Sequence, residues 1–329
     1  MQHAPRNSAV TGRYAGFTLV EILVVIGILA ILTTILIAAI APSLENAKIA
    51  ATRTTINQLN RMVQDRLNAF VNTDLKAQND RIMKAYNGSN NTSPLPSVIT
   101  LDVASVLVQK NLYKAFFPQC VADLYGFNGA DDNGAANADD SALLPYWKNT
   151  TPANTVSPAD NSELLYLFLT KGQSFGIDSP DIDEINPAHI GDTDGDGRLE
   201  FLDAWGNPLR FYNAPTQLIA NSAAARQLFA TLPTPITQDP FDALGRVSPL
   251  ASTFGKLTTN SFRLGSVIAQ PVNAQYYYDN DTYFAFLIVS AGPDGEFGLD
   301  DPTKSGNPQR LGFPTAMDSI NDNISNRQQ

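Results

Sequence analysis

The sequence has very few of the side chains on which most catalytic and metal sites depend. Its 329 residues include one cysteine, Cys120, and two histidines, His3 and His189. A single cysteine excludes an intramolecular disulfide and a cysteine-based zinc or iron–sulfur centre. Scarce imidazole disfavours ordinary hydrolase chemistry. The composition favours a protein that is not an enzyme and is stabilised by packing or by an oxygen-bound metal.

Charged residues are also scarce, and the acidic ones dominate. They make up 16% of the chain, with 22 Lys and Arg against 32 Asp and Glu, a net charge of −10. Because phosphate binding requires dense Lys and Arg, the sequence predicts no nucleic-acid partner. The length is ample for one large domain or two ordinary ones, each with its own core.

A long apolar run near the N terminus, residues 22–41, contains no charged residue. Twenty helical residues span about 30 Å, the thickness of the hydrocarbon core of a bilayer. We therefore predict a transmembrane helix over residues 17–41. The preceding leader contains Arg6 and Arg13 and no acidic residue. By the positive-inside rule, the leader stays in the cytoplasm and the rest of the chain is exported.

Glu21 is an anomaly in this apolar helix. A carboxylate within a membrane helix costs roughly 2.5–3.5 kcal/mol on insertion scales, so it requires a partner or a function. Cleavage after Gly16 would give Phe17 a free α-amino group one helical turn from Glu21. That amine could offset the carboxylate, in the same chain or in a neighbouring one.

The run Gly16-Phe17-Thr18-Leu19-Val20-Glu21 resembles the class III signal of type IV pilins and pseudopilins. The resemblance implies that a prepilin peptidase cleaves after Gly16 and methylates Phe17, and that Glu21 sets the register of subunits in a filament. The implied partners are other pilin-like subunits, the peptidase and an assembly platform in the bacterial inner membrane. Two alternatives remain open: a secretory signal cut after Ala41, and a plain membrane anchor.

Beyond Pro42, apolar residues recur at spacings of three and four, which is typical of an amphipathic helix. They are Ile49, Ile56, Leu59, Val63, Leu67, Phe70 and Val71. We predict that the membrane helix continues through Pro42 as an amphipathic helix over residues 42–87 and ends at Asn87-Gly88. Residues 88–329 would form the exported domain, with a helix over 101–117 and a capped helix opening at Asp160.

Two later segments resemble the signature of the major pseudopilins of type II secretion. The first is Asp203-Ala204-Trp205-Gly206-Asn207-Pro208 followed by LRFY, and the second is YFAFLIV followed by residues 290–295, SAGPDG. The resemblance implies two antiparallel strands that pack on the amphipathic helix, which is an α+β fold. Residues 72–190 and 213–282 would then be insertions relative to the family pattern.

The segment Asp192–Asp203 has the spacing of a calcium-binding loop. Asp192, Asp194 and Asp196 occupy positions 1, 3 and 5, and Gly197 occupies position 6. The further predicted ligands are the Arg198 carbonyl, Glu200, and Asp203 at position 12 in place of the usual glutamate. The alternative is an acidic turn whose aspartates only cap the backbone, with Asp203 serving the turn at Trp205.

The loop from Ser290 to Asp301 is a second candidate calcium site. Major pseudopilins bind calcium in the corresponding loop, so the resemblance implies Asp294, Asp300 and Asp301 as ligands, with Ser290 or nearby carbonyls. Oxygen ligands of this kind favour calcium over transition metals. At either loop the ion would be structural, adding folding energy where little core is available.

Residues 172–176 match the pattern G-x-S-x-G around Ser174, with His189 downstream. That motif requires a strand before the serine and a helix after it, whereas here a helical pattern precedes it. We interpret it as a loop that ends a helix and predict no catalytic residue.

The sequence thus predicts a structural subunit of a type IV pilus-like or type II secretion pseudopilus filament. The alternative is a membrane-anchored, calcium-dependent binding protein that does not polymerise.

Overall fold

The chain is described here from a computed structural model. The described residues are 18–74, 112–128, 141–148, 157–172, 182–213, 222–230, 286–303 and 312–328, with the single residues 76, 106, 109, 175 and 218. They divide into two compact units, Met1–Ala47 and Lys48–Gln329. The predicted processing residues Gly16 and Phe17 lie outside the described part of the chain.

Helix α1, Leu19–Asn72, contains Pro42 in its interior. In the first unit, all the large apolar side chains from Leu19 to Ile40 are exposed. The hydroxyl groups of Thr33 and Thr34 donate to the carbonyls of Leu29 and Ala30, at 2.7 and 2.8 Å, so neither interrupts the apolar surface with an unpaired donor. By length and composition, this part of α1 can cross a membrane.

From Lys48 onwards α1 is amphipathic, as predicted. Its buried positions recur at intervals of three and four: Thr52, Thr55, Ile56, Leu59, Met62, Val63, Arg66, Leu67 and Phe70. Val71 is exposed, although it belongs to the predicted apolar stripe. Arg66 is buried instead, and its Nη2 donates to the Leu169 carbonyl at 2.9 Å.

Helix α1 ends earlier than the predicted boundary at Asn87-Gly88. Thr73 and Asp74 are no longer helical. The Thr73 N–H donates to the carbonyl of Phe70, one residue nearer than in an α-helix. The Thr73 hydroxyl donates to the carbonyl of Ala69 at 2.7 Å. These bonds occupy carbonyls that a further helical turn would need. Residues 77–87 lie outside the described residues.

The remaining helices are short. They are α2, Leu144–Lys148; α3, Asp160–Lys171; α4, Ser222–Leu228; and α5, Met317–Ile320, with 3₁₀ turns at Val121–Asn128, Ile182–Glu184, Pro187–His189 and Gly292–Asp294. Residues 112–116, part of the predicted helix over 101–117, are helical. Helix α3 begins where predicted, but Ala159 is its N-cap and provides no side-chain bond.

The strands form two small antiparallel sheets. Strands β1, Ile190–Gly191, and β2, Glu200–Phe201, form a hairpin around the predicted calcium loop. Strands β3, Arg210–Tyr212; β4, Leu287–Ser290; and β5, Ile324–Ser325 form a sheet in the order β3-β4-β5. Phe211 lies opposite Ile288. The antiparallel pairing of the two predicted strands is confirmed, whereas the sequence did not indicate β1, β2 or β5.

Both faces of the larger sheet are buried. Phe211 and Ile288 join a first core with α1 and α3, while Tyr212, Leu287 and Val289 join a second core with α4. Neighbouring residues on a strand point to opposite faces. Burial on both sides therefore explains why Leu287, Ile288 and Val289 of β4 are apolar in succession and do not alternate with polar residues. The predicted α+β fold, with α1 packed on a small antiparallel sheet, is confirmed.

Described parts of the first predicted insertion belong to this same core. Phe117, Leu124, Trp147, Leu164 and Phe168 all lie in the first core with α1 and the sheet. Full burial of such a side chain is worth roughly 1.5–3 kcal/mol. These parts of residues 72–190 are thus integral to the domain.

Candidate functional site

The N-terminal end of α1 forms a capping box. The backbone N–H and the hydroxyl of Thr18 both donate to Oε2 of Glu21, at 2.8 and 2.9 Å, and the Glu21 N–H donates back to the Thr18 hydroxyl at 3.2 Å. Glu21 thus has a local partner that the sequence analysis did not assign to it. The spacing of threonine and glutamate three residues apart was the signal for it.

The loop between β1 and β2 is folded around the carboxylate of Asp192. Its Oδ1 accepts from the N–H groups of Gly195 and Asp196, at 2.7 and 3.2 Å, and its Oδ2 accepts from Gly197 at 2.9 Å. Gly197 has a φ of 91°, a conformation that favours glycine, as position 6 of a calcium loop requires. One carboxylate oxygen from each of Asp192, Asp194 and Asp196 lies within 4.8 Å of the other two.

A second trio of carboxylates adjoins the first and shares Asp194 with it. Glu163 on α3, Asp194 and Glu200 each have an oxygen within 4.8 Å of the other two. Glu163 and Glu200 are buried, with 2% and 0% of their surfaces exposed. The five residues Glu163, Asp192, Asp194, Asp196 and Glu200 are called the acidic cluster below. From the sequence, Glu163 belongs only to the predicted helix that opens at Asp160. Its approach to the loop depends on tertiary packing, which the sequence pattern does not show.

Arg198 supplies a positive charge to the acidic cluster. Its Nη1 lies 2.5 Å from Oδ2 of Asp196, 3.2 Å from Oε2 of Glu163 and 4.0 Å from Oδ1 of Asp160. The guanidinium also stacks on the ring of Trp147, 3.9 Å from its centroid. The prediction gave Arg198 only a ligating carbonyl, so the role of its side chain was missed.

Burial shifts the ionisation of three acids in and around the cluster. It raises the pKa of Glu163 to about 8, with Asp196 and Asp160 adding repulsion and Arg198 opposing it. Burial likewise raises the pKa of Glu200 to about 7 and that of Asp160 to about 6. Crowded, desolvated carboxylates favour the uptake of positive charge, either as protons or as a metal ion.

The structure does not place Asp203 in the acidic cluster. Its Oδ1 accepts from the N–H groups of Trp205 and Asn207, both at 2.9 Å, and its Oδ2 accepts from the Ser290 hydroxyl at 2.8 Å. In this structure Asp203 therefore serves the turn at Trp205, as in the alternative, and its role as the ligand at position 12 stays a prediction. The Ser290 hydroxyl, a predicted ligand of the second loop, is the donor of this last hydrogen bond.

The predicted second calcium loop does not assemble its ligands. Among the described residues, Asp294, Asp300 and Asp301 form no cluster with mutually close oxygens. Asp294 accepts from the Glu296 N–H and Asp301 from the Thr303 N–H, so each serves its own turn. Asp300 is buried, which raises the pKa of its carboxyl to about 7. A calcium site in this loop stays a prediction that rests on the resemblance.

His189 is buried, and its Nδ1 lies 2.9 Å from the carbonyl of Leu202, where β2 ends. Gly172 is the C-cap of α3, as expected for a loop that ends a helix. Ser174 lies outside the described residues. His189 thus belongs to the packing of the hairpin.

Comparison with known proteins supports the N-terminal assignment. The family described as Prokaryotic N-terminal methylation motif matches residues 12–37. No curated protein and no solved structure matched the chain. The matched segment covers the predicted cleavage site, Glu21 and much of the apolar part of α1. Together, the motif and the helix are consistent with a pilin-like or pseudopilin-like protein and support a single-pass protein anchored in the inner membrane.

Proposed function

From an N terminus that carries the prokaryotic methylation motif, we propose that this chain is a structural subunit of a type IV pilus-like or type II secretion pseudopilus filament. A prepilin peptidase would cleave after Gly16 and methylate Phe17, and the unit beginning at Lys48 would be exported. The observation that carries the proposal is that the motif coincides with an exposed apolar helix. Glu21 lies in the first turn of this helix and accepts hydrogen bonds from Thr18.

The exposed apolar surface of α1 supports assembly on physical grounds. The large side chains from Leu19 to Ile40 are exposed in the described part of the chain, and lipid or neighbouring helices would cover so large an apolar surface. Lipid would cover these side chains before assembly, and the corresponding helices of other subunits would cover them in the filament.

Glu21 is suited to select a neighbour during assembly. Both bonds from Thr18 go to Oε2 and hold the carboxylate in one orientation. In the proposed filament, Oε1 of Glu21 would accept a hydrogen bond from the α-amino group of Phe17 of an adjacent subunit. A charge pair in an apolar surrounding strongly disfavours a register that leaves either partner alone.

Mass spectrometry of the membrane-extracted protein tests the processing step. We expect a mature N terminus at Phe17 that carries one methyl group. A chain that starts at Met1, or after Ala41, would contradict the proposal and favour the anchored binding protein that does not polymerise.

The assembly step is tested with Glu21→Ala. We expect the variant to insert into the membrane normally but to be lost from the filament fraction after shearing and sedimentation. Glu45→Ala is the matched control, because it removes a carboxylate from the same helix outside the apolar run and should assemble like the wild type. Normal incorporation of Glu21→Ala would contradict the role given to this carboxylate.

We also propose that the β1–β2 loop binds calcium as a structural ion. The loop spacing, the left-handed Gly197 and the convergence of Asp192, Asp194 and Asp196 support this. If it is correct, calcium raises the melting temperature of the chelator-treated protein. An unchanged melting curve across millimolar calcium would contradict it.

A further inference from the structure

Glu163 holds an unusual position for an ionisable side chain. It lies in the first turn of α3 with 2% of its surface exposed. Its Oε2 pairs with Arg198, but its Oε1 has no hydrogen-bond partner among the described residues. An unpaired polar atom in the protein interior is costly, so this oxygen calls for a ligand that the described residues do not supply.

The neighbours of Glu163 define what that ligand is. An oxygen of Glu163 lies within 4.8 Å of oxygens from Asp194 and Glu200. Calcium binds oxygen at about 2.3–2.6 Å, so two ligands of the same ion lie up to about 5 Å apart. The three carboxylates are therefore at separations that one calcium ion bridges. An organic ligand would not require three acidic groups so close together.

Arg198 orients Glu163, one of these three carboxylates, together with Asp196 of the acidic cluster. Its guanidinium bonds to one oxygen of Glu163 and one of Asp196, and the ring of Trp147 supports it from the other side. Such contacts fix the orientation of ligand side chains around a metal. Arg198 offsets one negative charge of the acidic cluster, and the carboxylates that remain ionised attract a divalent cation.

We infer that Glu163 is a calcium ligand supplied from α3 to the β1–β2 loop. It takes the ligand position that the loop spacing assigns to Asp203. The oxygens of Asp203 already accept hydrogen bonds from the turn at Trp205 and from Ser290. The inference rests on the proposed binding of calcium by this loop. The ion then ties the hairpin to a core helix and couples calcium binding to the packing of the domain.

The test uses the purified full chain in detergent, treated with a chelator and titrated with calcium. Calorimetry gives the affinity directly, and thermal unfolding gives the stabilisation. For Glu163→Gln we expect affinity to fall by at least about tenfold, since even changes around a metal's direct ligands typically cost that much. Glu163→Asp keeps the charge but shortens the reach, and should also weaken binding.

Two variants separate the possible failures. Asp194→Asn removes the residue shared by both trios and should abolish the calcium response. Asp203→Asn should lower the melting temperature but keep the calcium response. Wild-type affinity in Glu163→Gln, with binding lost in Asp194→Asn, would overturn the role of Glu163 and leave a calcium loop in place. A wild-type protein that does not bind calcium would overturn both, without bearing on the filament proposal.

Discussion

At the scale of single residues, Asp203 joins two segments that lie far apart in the chain. It has 1% of its surface exposed and holds the turn at Trp205, while its Oδ2 accepts from Ser290, which ends β4. This hydrogen bond therefore joins the turn of the first pseudopilin-like motif to the second motif, in addition to the pairing of β3 with β4. The physical role of the aspartate is to satisfy buried donors from both.

Asp203→Ala leaves those donors unpaired in the protein interior. We expect the free energy of unfolding to fall by about 3 kcal/mol, since each orphaned buried donor costs about 1–3 kcal/mol. Urea unfolding of the full chain in detergent measures this loss. Asp318→Ala, at an exposed position of α5, is the control and should change stability by less than about 0.5 kcal/mol. Equal stability of the two variants would refute this account of Asp203.

At the scale of elements, the outer edge of β3 is covered by a side chain. Strand β3 lies at the end of its sheet, so its outward backbone groups have no strand partner there. The Asn161 Oδ1 accepts from the Phe211 N–H at 2.6 Å, and its Nδ2 donates to the Phe211 carbonyl at 2.8 Å. One amide side chain thus imitates a neighbouring strand and attaches α3 to the sheet.

Asn161→Ala should therefore lower the free energy of unfolding by about 3 kcal/mol, because it orphans the buried backbone groups of Phe211 and the carbonyl of Gln119. Asn161→Asp keeps an acceptor but loses the donors, and we expect it to be at least as destabilising. Denaturant titration compares them with Asn68→Ala, an exposed asparagine of α1. If all three variants are as stable as the wild type, Asn161 does not attach α3 to the sheet.

At the scale of the whole molecule, the two units have opposite relations to water. The described large apolar side chains of the first unit are exposed, whereas both hydrophobic cores lie in the unit that begins at Lys48. Exposed apolar surface of this extent drives association or membrane insertion. The described core residues of both clusters belong to the second unit.

A fragment that begins at Lys48 should consequently fold without detergent. We expect a monomer by sedimentation and a cooperative thermal transition by circular dichroism, while the full chain sediments as aggregates unless detergent is present. The calcium response should persist in the fragment, because the acidic cluster lies wholly within the second unit. A fragment that aggregates or melts without cooperativity would show that the second unit depends on the first.

The sequence by itself determined the features that depend on local pattern. The apolar run and the spacing of buried residues along α1 predicted both parts of that helix, because helical periodicity is a property of neighbouring residues. The pairing of β3 with β4 was implied by the resemblance of two short motifs to those of the major pseudopilins, and not by local periodicity. Periodicity did not locate the end of α1, where the side chains of Asn72 and Thr73 bond back to helix carbonyls.

Only the tertiary structure decided which carboxylates meet. Loop spacing predicted Asp192, Asp194 and Asp196 correctly as one cluster, since those residues share a single tight turn. It could not show that Glu163 approaches this cluster while Asp203 holds the turn at Trp205, because their positions depend on the packing of α3 against the hairpin and of β4 against that turn. Contacts between distant segments carry no signature in local spacing, and they are set by the burial of the cores.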